Sequence, residues 1–408
     1  MATTGRRGKR FFRLTSPLDS NPAPEDSQHR PALSDTTSRY KLTIGNLNVR
    51  SLAPSAELVS EYVQRFEVDI MCFTETWLCK GEPDVAIDGM VVVNRLERTR
   101  KKGGGVAIYS RSEISCNKLS GPSLPKSSRL ELIWVNVQHG HKRSVVLGCV
   151  YRPPGYEGIL DDLETLEGCI QKFQSEGKNV MLCGDLNCDL LRPNLPQSRA
   201  LLALIANTDM KQCVQHSTRV TDKTSTLIDI VLISDPSLVT SCVSEECIVS
   251  DHNLVVATLQ IRRARLRKKV IRFRKWDQLN STDFKSALRG LDWSPVIGST
   301  SVDMAWKRWS DLVVPLLDHH APIVSFSSKH KSGFGLSAAT RNLIRSTTAQ
   351  LRTYRRSLKL SDLNIYKQMR RQVRSAISLE RRIKVESLVK SNKSSRDIWN
   401  FIHCTLGN

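Results

Sequence analysis

The stretch NVMLCGDLNCDL, residues 179–190, decides how the chain is read. Val180 to Cys183 form a short apolar run that stops at Gly184, and Asp185, Asn187 and Asp189 follow. Gly, Asp and Asn suit the residues after a strand because they accept turn conformations. Layered α/β proteins also gather their chemistry at strand ends. A turn and an active site both fit these twelve residues, so the surrounding chain has to separate them.

Residues 40–261 alternate strands and helices. The expected strands are KLTIGNLNV, VDIMCFTE, GGVAIYS, LELIWVNV, RSVVLGCVY, NVMLCGDL, TLIDIVLIS and NLVVATLQI. Each is short, rich in Val, Ile and Leu, and bounded by Gly, Pro, Ser or Asn. Helices are expected over 56–66, 159–174 and 198–207. Most strands are apolar on both faces, as a sheet covered on both sides requires. Helices do not follow every strand, so a two-sheet α/β sandwich fits better than a barrel.

The 408 residues suffice for about two domains. Eleven cysteines, an odd number with no CxxC pair, argue for reduced thiols rather than a disulfide frame or zinc site. The expected location is therefore nuclear or cytoplasmic. No apolar run approaches the ~18 residues of a membrane span, so no membrane partner is expected. The net charge of +21 is unevenly placed. Residues 1–259 hold 30 Lys and Arg against 30 Asp and Glu, whereas residues 260–408 hold 31 against 10. A nucleic acid is the natural partner for the second part; a solvated basic surface without a partner is the alternative.

Residues 1–39 read as a disordered basic and polar arm, and 262–275 as a basic linker. Residues 276–408 read as a basic α-helical extension. LIRSTTAQLRTYRRSLKL and LNIYKQMRRQVRSAISLERRIKVESLVK within it carry apolar residues at three- and four-residue spacing. Tyr354, Tyr366 and Trp399 there either pack the helices or offer stacking surfaces for bases.

Polar residues recur at the strand ends, where a core does not need them. They are Asn48 in NLNVRSL, Glu75 in CFTETWL, Tyr151 in VYRPP, Asp185 and Asn187 in GDLN, and Asp251 and His252 in SDH. Asp229 lies inside TLIDIVLI, where a carboxylate is costly unless paired or liganded. Singly, each has a structural explanation as a turn, edge or capping residue. Together they supply carboxylates for a divalent metal, amides to orient them, a phenol and a His–Asp pair.

This set resembles the endonuclease/exonuclease/phosphatase superfamily, matching in order from about residue 41 to 260. N-V-R-S-L, T-E-T-W-L, Y-R-P-P, G-D-L-N, I-D-I-V-L and S-D-H, with GGGVAIY at 103–109, look most like the endonuclease domain of LINE-type non-LTR retrotransposons. LDWSPV, LLDHHAPI and RDIWNFIHCTLGN resemble, more loosely, the connector that precedes the reverse transcriptase in such elements. No reverse transcriptase motif is visible, so the expectation is a truncated or domesticated product.

The resemblance implies a four-layered α/β sandwich and a Mg²⁺-dependent DNA endonuclease, with Mn²⁺ as the alternative ion. It implies Glu75 as main metal ligand, Asn48 organising the site and Asp251 as a further carboxylate near the metal. Asp185 would position or deprotonate the attacking water, and Asn187 would hold a phosphate oxygen or orient that aspartate. His252 would contact the phosphate, held cationic by Asp229, and Tyr151 would donate to the phosphate or stabilise charge. Thr218 falls where the family carries a Thr upstream of the I-D motif. DNA-repair relatives carry a second carboxylate where this chain has Arg50, which cannot bind Mg²⁺; this weakens a repair assignment. DNA is the expected partner, with RNA through the basic C-terminal region. A phosphodiesterase or phosphatase acting on another ester, and a catalytically decayed nucleic-acid binder, are the competing readings.

Overall fold

The structure is a computed structural model that describes residues 41–98, 103–139, 143–155, 157–261, 270–276, 279–327 and 335–390. The N-terminal arm, Trp399 and the RDIWNFIHCTLGN segment lie outside the described residues, as does the linker up to residue 269. In chain order the strands of the sandwich are β1 (Leu42–Asn48), β2 (Ile70–Thr74), β3 (Met90–Leu96), β4 (Val106–Arg111), β5 (Cys116–Leu119) and β6 (Glu131–His139). They continue with β7 (Arg143–Tyr151), β8 (Asn179–Asp185), β9 (Lys211–Gln212), a two-residue pair β10 (Arg219–Val220) and β11 (Ser225–Thr226), β12 (Asp229–Ile233), β13 (Val239–Glu245) and β14 (Leu254–Leu259).

Two six-stranded mixed sheets result, ordered β13-β14-β1-β2-β4-β3 and β5-β6-β7-β8-β12-β9. Each holds a central parallel pair, β1 with β2 and β7 with β8, while the other pairs are antiparallel. Side chains alternate between faces along a strand. Leu42, Ile44, Ile70 and Cys72 therefore meet Val145, Leu147, Met181 and Val231 between the sheets. Val180, Leu182 and Ile230 point outward, against helices α2 (Ile159–Ser175) and α3 (Pro196–Asn207). On the opposite side Leu47, Met71 and Phe73 pack under helix α1 (Ala56–Arg65). The order helix, sheet, sheet, helix is the expected four-layered sandwich.

The helices have local causes. In α2, Ile159, Leu163, Leu166, Ile170 and Phe173 recur at helical spacing and are all buried. Asp161 and Asp162 lie in its first turn, where the helix dipole favours anions. Gly177 ends it in a left-handed conformation, φ +69°, with its amide bonded back to the Gln174 carbonyl. Helix α3 starts at Pro196, which has no amide hydrogen to leave unpaired.

Beyond the sandwich come β15 (Val270–Arg274), α4 (Ser281–Arg289), α5 (Ser294–Ile297), α6 (Val302–His320) and β16 (Ile323–Ser327), with β15 antiparallel to β16. Residues 270–274, read in the sequence as linker, are thus a strand. Helices α7 (Ala338–Ser357) and α8 (Leu360–Lys390) form the two long basic helices expected. Their apolar residues Ile344, Leu351, Tyr354, Tyr366, Val373 and Ile377 join the cluster under α1. Tyr354 and Tyr366 accordingly pack the helices. The charge split gave no sign of this shared core. The ten described cysteines are all free. No described helix is long and apolar enough to cross a membrane.

Candidate active site

Inward-facing residues at one end of the sandwich are polar where the rest are apolar. Parallel pairing puts the C-terminal ends of β1 and β2 together, and likewise those of β7 and β8. Asn48, Glu75, Tyr151 and Asp185 come from those ends. The antiparallel neighbours bring their N-terminal ends to the same edge. Asp229 pairs directly with Asp185 across β12 and β8, and His252 lies just before β14.

Asn48 links the two sheets. Its Nδ2 donates to Glu75 Oε1 and to Asp185 Oδ2, each at 2.9 Å. Two carboxylate partners fix the amide orientation, so Asn48 Oδ1 faces elsewhere. Tyr151 donates its hydroxyl proton to Glu75 Oε1 at 3.2 Å, and Trp77 Nε1 donates to Oε2 at 3.3 Å. Asp185 Oδ1 accepts from the Asn187 backbone amide at 2.9 Å, while the Asn187 side chain donates to the Arg152 carbonyl at 2.8 Å. The Asn187 side chain thus touches the Arg152 carbonyl, and its contact with Asp185 runs through the backbone. Opposite, His252 Nδ1 and Asp229 Oδ2 lie 2.8 Å apart. The amides of Ile228 and Asp229 both donate to Thr218 Oγ1, which fixes the start of β12.

Backbone conformation aims these groups. Glu75 and Asn187 both adopt left-handed φ, +53° and +52°. Such positions are uncommon outside glycine and concentrate at functional sites. The turn at Glu75 is held by Gly104 and Gly105, whose carbonyls accept from the amides of Trp77 and Thr76. A Cβ on Gly105 would lie 2.5 Å from Thr76 Oγ1. Gly103, Gly104 and Gly105 all hold left-handed φ, +90°, +71° and +86°, and this together with the close approach at Gly105 is the reason for glycine in GGGVAIY.

The electrostatics follow from burial and like charge. Asp185 is 1 % exposed and raised to about 7, first by burial and then by the neighbouring Asp229 charge. Burial opposes the charge on His252, but Asp229 outweighs it and holds the imidazole at about 9. His252 is therefore a cation near neutral pH, with Nδ1 committed to Asp229. Tyr151 is pushed well above the ordinary phenol range, by burial and then by Glu75, and stays a proton donor.

The ligand atoms of Asp185, Asp229 and His252 lie within 4.8 Å of one another. Two buried acceptors here, Asn48 Oδ1 and Asp229 Oδ1, have no hydrogen-bond partner among the described residues. Carboxylate and amide oxygens around unpartnered acceptors suit a hard divalent cation, so the residues fit such an ion. Glu75 and Asp251 stand outside the converging trio. Asp251 forms ion pairs with Arg219 at 2.8 Å and Arg50 at 3.1 Å. Although burial acts the other way, the Arg219 hydrogen bond, His252 and Arg50 hold its carboxyl below the usual range.

Three supporting groups went unrecognised in the sequence. Asn46 Nδ2 donates to the Gly184 carbonyl at 3.4 Å, a second link between the sheets. Arg152 is fully buried; it pairs with Asp162 at 3.0 Å and donates to the carbonyls of Pro153, Gly155 and Glu157, which shapes the Y-R-P-P turn. Glu131 accepts from the Gly105 amide at 2.5 Å and pairs with Arg98, whose guanidinium lies 5.8 Å from the Tyr151 ring centroid. Glu131 carried a readable signal, a carboxylate at the head of the apolar run LIWV.

The sequence pattern of the Endonuclease/Exonuclease/phosphatase family matches residues 45–252. A comparison with curated proteins gives no match. Among solved structures, the chain is similar to the endonuclease domain of TRAS1, a telomere-specific non-LTR retrotransposon, at 15% identity and a TM-score of 0.43, covering 55% of this chain and 100% of that one. An AP endonuclease from Archaeoglobus fulgidus gives 20% identity and a TM-score of 0.43 over 53% of this chain and 99% of that one. The 3′ phosphatase NExo from Neisseria, bound to a product DNA hairpin, gives 17% and 0.45 over 53% and 98%.

Proposed function

Because the chain belongs to the endonuclease/exonuclease/phosphatase family, we propose that it nicks one strand of DNA, leaving a 3′-hydroxyl, with Mg²⁺ or Mn²⁺ as cofactor. One observation carries the reading. A single amide, Asn48, ties Glu75 to Asp185 across the two sheets, opposite a buried His252 cation paired with Asp229. Anionic oxygens for a metal and a fixed cation for a phosphate thus share one mouth.

Glu75 and Asp185 would hold the ion, with Asn48 organising the two carboxylates and Asp251 at the rim. When bound, the ion supplies Lewis-acid stabilisation of the phosphoryl oxygens. The remaining work falls to the protein. Asp185, held by Asn48 and the Asn187 amide, takes a proton from the attacking water. The water oxygen bonds to phosphorus as the P–O3′ bond breaks, and the departing oxygen takes up a proton. His252, with Nδ1 on Asp229, presents Nε2–H to a phosphate oxygen whose charge grows in the transition state. Tyr151 adds a neutral donor on the Glu75 side.

The N-V-R-S-L and T-E-T-W-L motifs support descent from a non-LTR retrotransposon. The positive charge beyond residue 260 supports a nucleic-acid substrate, and RNA as a second partner. The test is supercoiled plasmid incubated with the full chain. Relaxation in Mg²⁺ that EDTA abolishes, with products extendable by a DNA polymerase, is expected. Hydrolysis of an inositol phosphate with plasmid left intact would move the assignment to another ester. Cleavage that persists in EDTA would overturn the mechanism.

A further inference from the structure

Two clefts lie between helix α8 and the sandwich, of about 400 and 530 Å³, and both are walled by Ser250, Asp251, Arg370 and Arg374. Ser250 and Asp251 directly precede His252, and Ser250 Oγ donates to the Asn48 carbonyl at 2.6 Å. The clefts therefore share a wall with the catalytic mouth.

The helical wall is cationic by construction. Arg370, Arg371 and Arg374 lie three, four and seven residues after Lys367, so the four share one helix face. Tyr366, Val373 and Ile377 form the adjoining buried row that seats α8. Between residues 338 and 390 there are fourteen Lys and Arg against three Asp and Glu. None of the four makes an ion pair among the described residues; Arg370 donates to the Val249 carbonyl at 3.3 Å. Of the two carboxylates of the first cleft, Asp251 is paired with Arg219 and Arg50, and Asp222 accepts from the Tyr354 hydroxyl at 2.8 Å. The preceding helix is anchored to the sandwich: Arg355 donates to Asn253 Oδ1 at 2.7 Å, and Arg352 pairs with Glu245 at 2.9 Å and Glu246 at 3.2 Å.

A solvated helix face needs neither concavity nor neighbouring carboxylates already occupied. Uncompensated cations converging on a cleft beside a phosphate-directed site fit a polyanion with regularly spaced charges. We propose that this cleft holds the phosphodiester backbone of duplex DNA flanking the cleavage point, gripped by Lys367, Arg370, Arg371 and Arg374. The proposal rests on the DNA reading of the active site, and it places a substrate contact outside the segment that matches the family.

The experiment measures binding of the full chain to a fluorescent duplex in EDTA, over a series of salt concentrations. The parent is compared with K367A/R371A/R374A and with a control, R382A/K384A/K390A, that removes equal charge from α8 away from the cleft. Each lost phosphate contact lowers the log–log salt slope by about 0.9 on duplex DNA. The cleft variant should lose roughly two to three times that value and the control clearly less, with K367A/R371K/R374K restoring most of the slope. Equal losses in both variants, or no loss in either, would overturn the cleft. Plasmid nicking by the parent in Mg²⁺ is scored separately. A parent that binds through the cleft without nicking removes the proposed activity and leaves the cleft standing. A parent that nicks while its cleft variant binds unchanged does the reverse.

Discussion

Asp185 and Asp229 face each other at one register position of an antiparallel pair, a placement sheets avoid for like charges. Burial first, and that facing charge second, keep a proton on Asp185 to about pH 7, against ~3.9 for an unfolded aspartate. A carboxyl that keeps its proton longer when folded makes the folded state less stable as pH climbs from ~4 toward 7. Asp185→Asn removes that ionisation. In EDTA its Tm advantage over the parent should widen from about pH 5 to about pH 8, and Mg²⁺ should narrow it by stabilising the carboxylate. Differential scanning calorimetry over that range reads the sign, and a shrinking difference would contradict the coupling. On activity, Asp185→Ala and His252→Ala should each slow plasmid nicking by at least ~10² without unfolding the protein, the scale for losing a positioned acid–base or electrostatic group. Retained nicking in either would misassign its role. These residues were legible because a carboxylate inside TLIDIVLI and a GDLN after an apolar run are costly without a purpose. Asn46 and Arg152 were not, since their partners are backbone carbonyls and a helix carboxylate that only the fold brings near.

At the scale of elements, β8 lies so close to β7 that a Cβ on Gly184 would sit 1.8 Å from the Val150 carbonyl oxygen. Backbone cannot yield as a flexible side chain does. Gly184→Ala should therefore push Asp185 away from Asn48 and cost more than the roughly 1–3 kcal/mol typical of overpacking. Gly177→Ala has no atom within 4 Å of the new Cβ and carries only its left-handed φ, so it should cost about 1 kcal/mol. Urea midpoints of the two variants check the order, and a smaller loss for Gly184→Ala would show that the strands can part cheaply. The eight strands expected from the sequence are all present in the sandwich. Four that were missed, β3, β5, β9 and β13, are the outer strands of the two sheets. Their side chains are largely half-buried or exposed. An edge strand covered on fewer sides carries a weaker apolar signature, so the pattern that reveals central strands fades at the borders.

For the whole molecule, the hairpin of α7 and α8 closes the outer layer of the first sheet rather than trailing from it. A chain cut after residue 261 would expose the α1 surface that Ile344, Leu351, Val373 and Ile377 cover. At ~1.5–3 kcal/mol for each fully buried apolar side chain, the loss is several kcal/mol. The cut chain should melt at least ~10 °C below the full chain, and equal melting would mean the hairpin is undocked in solution. One bond in that contact has a reach of its own. The Ile248 amide donates to the Tyr62 hydroxyl at 3.1 Å, Tyr62 bonds to Thr348 Oγ1 at 2.8 Å, and Thr348 donates to the Ile344 carbonyl at 2.9 Å. Thr348 has spent its proton on the helix, so the tyrosine must give its own, and the chain of donors has one direction. The Ile248 amide, four residues before His252, is thus held by a hydroxyl that α7 in turn holds, so its exchange with deuterium should be faster in a chain cut after residue 261 than in the full chain, and equal rates would mean that the bond to Tyr62 stands without the helix.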